Sequence, residues 1–156
     1  MRNYPIDSRQ AQGRIIAAAL LADGGLDKSE IEFLDCRSIY ERLDLSQSEF
    51  NTIVHEFWND MNIYALRSES GELQIGREAI ASMLADIRTR SIQIWLLGTI
   101  HELVYADKVL SAGEALLVSQ MMSDWGITLL EVKKPVHNRA SQWPPQLRRA
   151  AADACS

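Results

Sequence analysis

The chain has 156 residues, 47% of them hydrophobic and 24% charged, with only 8 Gly and 4 Pro. That length suits one domain able to bury about 70% of the surface its unfolded chain exposes, and the composition excludes collagen-like repeats and low-complexity disorder. A net charge of -5 opposes broad attraction to nucleic acid or to an anionic membrane.

Apolar residues recur at steps of three and four through most of the chain, without sustained alternation, which predicts an all-α fold in a single compact domain. In chain order, helices are expected over residues 8–22, 28–43, 47–65, 76–89, 91–105, 112–124 and 129–133, with a further short one at 145–153. The helix near residue 92 is expected to turn Ile92, Trp95, Leu96, Ile100, Leu103 and Val104 inward. Between the fourth and fifth helices, residues 66–76 are polar and punctuated by Gly71 and Gly76, which reads as a loop joining two halves. After Lys134, Pro135 and the pair Pro144-Pro145 interrupt any continuous helix. The helical domain is therefore placed at residues 1–134 and a basic appendage at 135–156.

Charge divides along the same line. Residues 131–156 set Lys133, Lys134, Arg139, Arg148 and Arg149 against Glu131 and Asp153, a net of +3, which leaves -8 for residues 1–130. The tail could bind an anionic lipid surface or an acidic partner, or be a solvated, partly disordered terminus, or fold back on its own acidic body. Cys36 and Cys155 stand far apart with no CxxC pair, so neither a disulfide framework nor a zinc site is expected. No apolar h-region follows Arg2 and no apolar run approaches a membrane span, which predicts a cytoplasmic protein with no transmembrane segment.

The most informative feature is an internal repeat at an offset of 84 residues. Ala22-Asp23-Gly24-Gly25-Leu26-Asp27-Lys28-Ser29-Glu30 aligns with Ala106-Asp107-Lys108-Val109-Leu110-Ser111-Ala112-Gly113-Glu114, giving the skeleton A-D-x-x-L-[D/S]-x-x-E. Each copy follows an apolar helix and precedes another, and each second helix ends in a connector, Asp44-Leu45-Ser46 or Gly126-Ile127-Thr128, where the spacing slips by two residues.

Part of this pattern is capping. Asp27 with Glu30 and Ser111 with Glu114 are spaced as capping boxes, as are Ser46 with Glu49 and Thr128 with Glu131. Capping leaves Asp23 and Asp107 unexplained, because each ends a helix, where an acidic group costs about 0.3 to 1 kcal/mol against the macrodipole. One explanation is an Asx-type turn at each position. The other is that two halves packed about a pseudo-twofold axis bring Asp23, Glu30, Asp107 and Glu114 onto one patch. Two carboxylates about 5 Å apart repel by roughly 3 kcal/mol at an effective dielectric near 20. Four together would need protons or a hard cation, and oxygen ligands favour calcium or magnesium.

Other motifs fail on their spacing. An EF-hand counted from Asp23 has Lys28 where Gly is required and Leu34 where Glu is required. His55-Glu56 and His101-Glu102 begin like a zinc-protease motif, but Asn59 and Tyr105 stand where the second His belongs. Met121, Met122, Trp58, Trp95 and Trp125 sit at helical spacing and are expected in the core. No nucleophile, base and orienter can be assembled, so no enzyme is expected.

The two segments Ala22 to Glu30 and Ala106 to Glu114, with their continuations, resemble the tellurite resistance TerB and TerB-like family over residues 8–133. The resemblance implies a domain of about seven helices with internal pseudo-twofold symmetry, in which acidic residues of both halves gather into a divalent-metal site. On matching positions only, the metal ligands it implies are Asp23, Glu30, Asp107 and Glu114. It also implies a non-enzymatic adaptor in bacterial stress response and tellurium oxyanion resistance, in protein assemblies at the inner membrane face; the family's domain also occurs fused to a co-chaperone. Family copies commonly read A-D-G, which Asp23-Gly24 keeps and Asp107-Lys108 does not; Lys108 sets a cation beside the second half-site. The competing expectation is a metal-free module that docks a protein partner through its helical surface or basic tail.

Overall fold

A computed structural model describes residues 2–22, 28–64, 66–67, 73–105 and 110–132, the side chains at 28–30, 36, 64, 66, 67, 73 and 74 excepted. The helices are α1 (Arg9–Leu20), α2 (Lys28–Cys36), α3 (Ile39–Leu43), α4 (Gln47–Tyr64), α5 (Arg77–Ala85), α6 (Arg90–Tyr105), α7 (Ala112–Trp125) and α8 (Leu129–Val132). The described residues are mostly helical, consistent with the all-α expectation, and the segment 145–153 lies outside them.

The hydrophobic pattern explains which helix is central. α1 is buried at every position from Gly13 to Leu20, a stretch apolar but for Arg14; a helix so nearly apolar all round belongs in the interior. Ser8 begins it, its Oγ accepting from the Ala11 amide at 3.2 Å. Around α1 pack α3, α4, α5, α6 and α7. Ile15, Ile16 and Leu20 are fully buried, each contributing about 1.5 to 3 kcal/mol by leaving water. From α4 come Phe50, Ile53, Phe57 and Met61; α6 supplies Leu96, Leu97, Ile100, Leu103 and Val104.

Four local expectations change. The helix predicted over 28–43 divides into α2 and α3, because Ser38 takes a left-handed conformation, φ 50°. Within the stretch read as a loop, β1 (Leu66–Arg67) and β2 (Leu73–Gln74) pair antiparallel, Leu66 opposite Gln74. The helix predicted over 76–89 stops at Ala85, where the chain is taken over by the N-terminal segment. The Asp7 carboxylate accepts from the amides of Arg88 and Thr89, at 2.7 and 3.1 Å, and from the Thr89 hydroxyl at 2.8 Å. On the predicted inner face of α6, Ile92 and Trp95 are half-buried and Leu97 takes a core place. Trp95 lies beneath the Arg42 guanidinium, 4.7 Å from the ring centre.

The two connectors share one geometry. Asp44 (φ 54°, ψ 44°) and Gly126 (φ 59°, ψ 41°) are both left-handed C-caps. In each, the following amide closes back five residues, Leu45 to the Tyr40 carbonyl at 3.0 Å and Ile127 to that of Met122 at 3.1 Å. This is the Schellman closure. Leu45 and Ile127 are both buried behind it.

Candidate functional site

The repeat directs attention to the place where α1 ends and α7 begins. Ala22, the last described residue after α1, abuts Gly113 in the first turn of α7. A Cβ on Gly113 would lie 2.6 Å from the Ala22 carbonyl oxygen. Only glycine permits so close a backbone approach. The residue before Asp23 thus touches the residue before Glu114.

Glu114 itself is 5% exposed. Its Oε2 accepts from the Ser111 amide at 2.7 Å, and Ser111 Oγ accepts from the Glu114 amide at 3.2 Å, which completes the expected capping box. Of the other proposed ligands, Asp23 and Asp107 lie outside the described residues; Glu30 lies in α2 but its side chain is not among those described. Among the described residues, no group of three or more His, Cys, Asp or Glu is placed to hold a metal ion.

The second capping box expected also forms, with Ser46 donating to Glu49 Oε2 at 2.7 Å and Ser46 Oγ accepting at 3.2 Å. These bonds hold the Glu49 carboxyl below its usual range. Of the Asp27–Glu30 pair, Asp27 and the Glu30 side chain lie outside the description. Glu131 departs from its expected role, turning to Arg90 Nη2 at 2.7 Å rather than back to Thr128.

The His101–Glu102 pair is held by neighbours in the fold. Glu102 faces Arg37 at 3.4 Å and His101 stacks on Tyr105 with ring centres 4.4 Å apart. Met121 and Trp125 are core residues, the Trp125 indole donating to the Leu84 carbonyl at 3.2 Å. Trp58, expected inside, is 38% exposed on the outer face of α4. An open cleft of about 440 Å³ between α5 and α7 has Leu84 and Trp125 in its lining, with Arg88 and Asp124 supplying one charge of each sign.

A second polar cluster was not singled out by the sequence. Arg14 and Asp60, 3% and 7% exposed, face each other across α1 and α4, with Arg14 Nη2 at 3.7 Å from Asp60 Oδ2. Residues 2–4 cover them. The Arg2 amide donates to Asp60 Oδ2 at 3.2 Å, while its carbonyl accepts from Arg14 Nη1. The Arg2 guanidinium pairs with Glu56, which raises its pKa. The Tyr4 hydroxyl donates to Glu56 Oε2 at 2.8 Å. Burial first, and that hydrogen bond second, push the Tyr4 phenol up to about 12; burial pushes the Arg14 guanidinium down. The only signal in the sequence is register: Arg14 and Asp60 sit among core-facing positions of their helices, where charge is costly unless paired.

Compared with known proteins, the chain matches no family model, no curated protein and no solved structure. Among the described residues, no helix is long and apolar enough to cross a membrane.

Proposed function

We propose that this protein is a non-enzymatic, TerB-like helical adaptor whose two repeated acidic turns jointly hold one divalent cation, calcium or magnesium, through Asp23, Glu30, Asp107 and Glu114. The observation that carries the reading is the backbone contact between Ala22 and Gly113, which supports convergence of turns 84 residues apart. The matched left-handed connectors at Asp44 and Gly126 support an internal repeat, as does the packing of α1 on α4 alongside that of α6 on α8. The net -8 of residues 1–130 adds a field that attracts cations. A place in stress response or tellurite resistance, in the cytoplasm or against the inner membrane face, follows from the sequence resemblance alone. Terbium luminescence tests the site, since tyrosine and tryptophan can sensitise a bound lanthanide. Emission that saturates below millimolar ion and weakens in Asp23→Asn is expected; no saturable emission, or emission indifferent to that substitution, would remove the cation from the proposal.

A second reading has its own observation. The buried Glu114 carboxylate already accepts the Ser111 amide, a use that favours a metal-free module docking a protein partner. A pulldown with and without residues 135–156 tests docking through the basic tail, which is lost on truncation, and its repeat in a chelator separates a metal-free helical surface, which keeps its partners, from an adaptor that needs the cation.

A further inference from the structure

The cluster beneath residues 2–4 is organised as a receptor is. Two buried side chains from different helices hold both backbone groups of one residue: Asp60 accepts the Arg2 amide at 3.2 Å, and Arg14 donates to the Arg2 carbonyl. Glu56 then takes the Arg2 guanidinium and the Tyr4 hydroxyl, and the Arg14 guanidinium lies 5.5 Å from the centre of the Tyr4 ring. Asn3, between them, is exposed. Main-chain bonds that give affinity, with side-chain contacts at alternate positions that give specificity, are the logic of extended-peptide recognition. The features gripped reduce to arginine, any residue, tyrosine.

Two further observations indicate that the resident segment can be exchanged. Arg14 Nη2 is buried without a hydrogen-bond partner, so this occupant leaves a donor of the groove unmet. The arginine at the rim is also loosely held: its side chain is 48% exposed and that of Glu56 34%, and a pair so exposed to water adds little stability. Beyond the grip, Pro5 and Ile6 are exposed; the Pro5 carbonyl accepts from the Ser8 amide at 3.1 Å and the Asp7 amide donates to the Asp86 carbonyl at 2.8 Å. Residues 2–4 are thus joined to α1 through a short stretch whose Pro5 and Ile6 are exposed.

We propose that the groove between α1 and α4, walled by Arg14, Glu56 and Asp60, is a binding site for an extended segment of a partner protein carrying arginine and, two residues later, tyrosine, and that the chain's own Arg2–Tyr4 occupies it in cis. The acidic wall of Glu56 and Asp60 selects the basic residue, and the Arg14 guanidinium selects an aromatic ring over its face. The site is separate from the acidic turns and does not depend on a cation there, so its test is run in the presence of a chelator.

The probe is a fluorescein-labelled peptide, Arg-Asn-Tyr-Pro-Ile-Asp, titrated by anisotropy against the full chain and against the full chain carrying Arg2→Ala and Tyr4→Ala. A short tether gives the cis segment an effective concentration of about millimolar, so the wild-type chain should bind weakly and the double variant at least tenfold more tightly. Binding should weaken by up to about fivefold when the arginine of the peptide is replaced by alanine, and likewise when Glu56→Gln is added to the double variant, as an ion pair open to water allows. A folded double variant that binds no more tightly than wild type, or binding that ignores both the peptide arginine and Glu56, overturns the proposal. Should the double variant not fold, millimolar peptide added to the wild-type chain should shift the NMR signals of Arg14 and Asp60, and unmoved signals overturn it equally.

Discussion

Glu114 and Asp60 are both buried carboxylates, 5% and 7% exposed, and they are stabilised in opposite ways. Glu114 finds its partner three residues away, in a cap closed within one helical turn. Asp60 depends on the Arg2 amide, 58 positions distant, and on Arg14 in another helix. The first arrangement fixes one helix end. The second locks two helices and the N-terminal segment together, so the two should fail on different scales.

The sharpest way to separate them is Asp60→Ala, which leaves Arg14 as an uncompensated buried charge. It should cost about 3 to 5 kcal/mol in urea unfolding, whereas replacing both partners, Arg14→Met with Asp60→Leu, should cost far less and can be neutral. A loss under about 1 kcal/mol for Asp60→Ala would show that the pair is hydrated after all.

Next in size is Gly113→Ala, whose new methyl would meet the Ala22 carbonyl oxygen at 2.6 Å. Overpacking against backbone should cost about 1 to 3 kcal/mol, beyond anything helix propensity returns, and the same unfolding measurement would register unchanged stability if the Ala22 turn yields freely. Ser111→Ala should lose about 0.5 to 2 kcal/mol, with Ser46→Ala as its exposed counterpart. If Ser111→Ala also abolished cation binding, cap and ligand would not be separable roles.

The smallest effect is a pH signature. The Tyr4 phenol is raised from 10.0 to about 12 in the folded chain, by burial foremost. Its folded-state pKa lies above the unfolded one, so the stability it lends is complete below pH 10 and is lost as pH rises towards 12. The gap in melting temperature between wild type and Tyr4→Phe should narrow or reverse over that interval, and a constant gap would mean that Tyr4 is not held in its protonated form.

How far each region is legible in sequence follows from the same contrast. Ser111 with Glu114 and Ser46 with Glu49 can be read because donor and acceptor lie within four residues. Thr128 with Glu131 carries the same letters, yet Arg90 in α6 claims the carboxylate, and spacing alone cannot show a competitor from elsewhere in the chain. The break at Ser38 is hidden in the sequence because serine has no special licence for a left-handed φ. Asp7 likewise ends one predicted helix early through bonds to Arg88 and Thr89, which no local pattern announces. Helix positions and most of the core were readable from period alone, since buried faces of α4 and α6 repeat at three and four residues. Arg14 and Asp60 look like errors in that period until folded, when each becomes the other's partner.

The acidic turns were legible as a duplicated motif, and Gly113 marks where their flanks touch. Whether they act as one site is decided most directly by the stoichiometry of calcium or magnesium binding in isothermal titration. One ion per chain, weakened at least tenfold by Asp23→Asn and by Asp107→Asn alike, is the expected result. Two independent ions, no binding below millimolar, or loss with only one of the two substitutions would contradict a shared site.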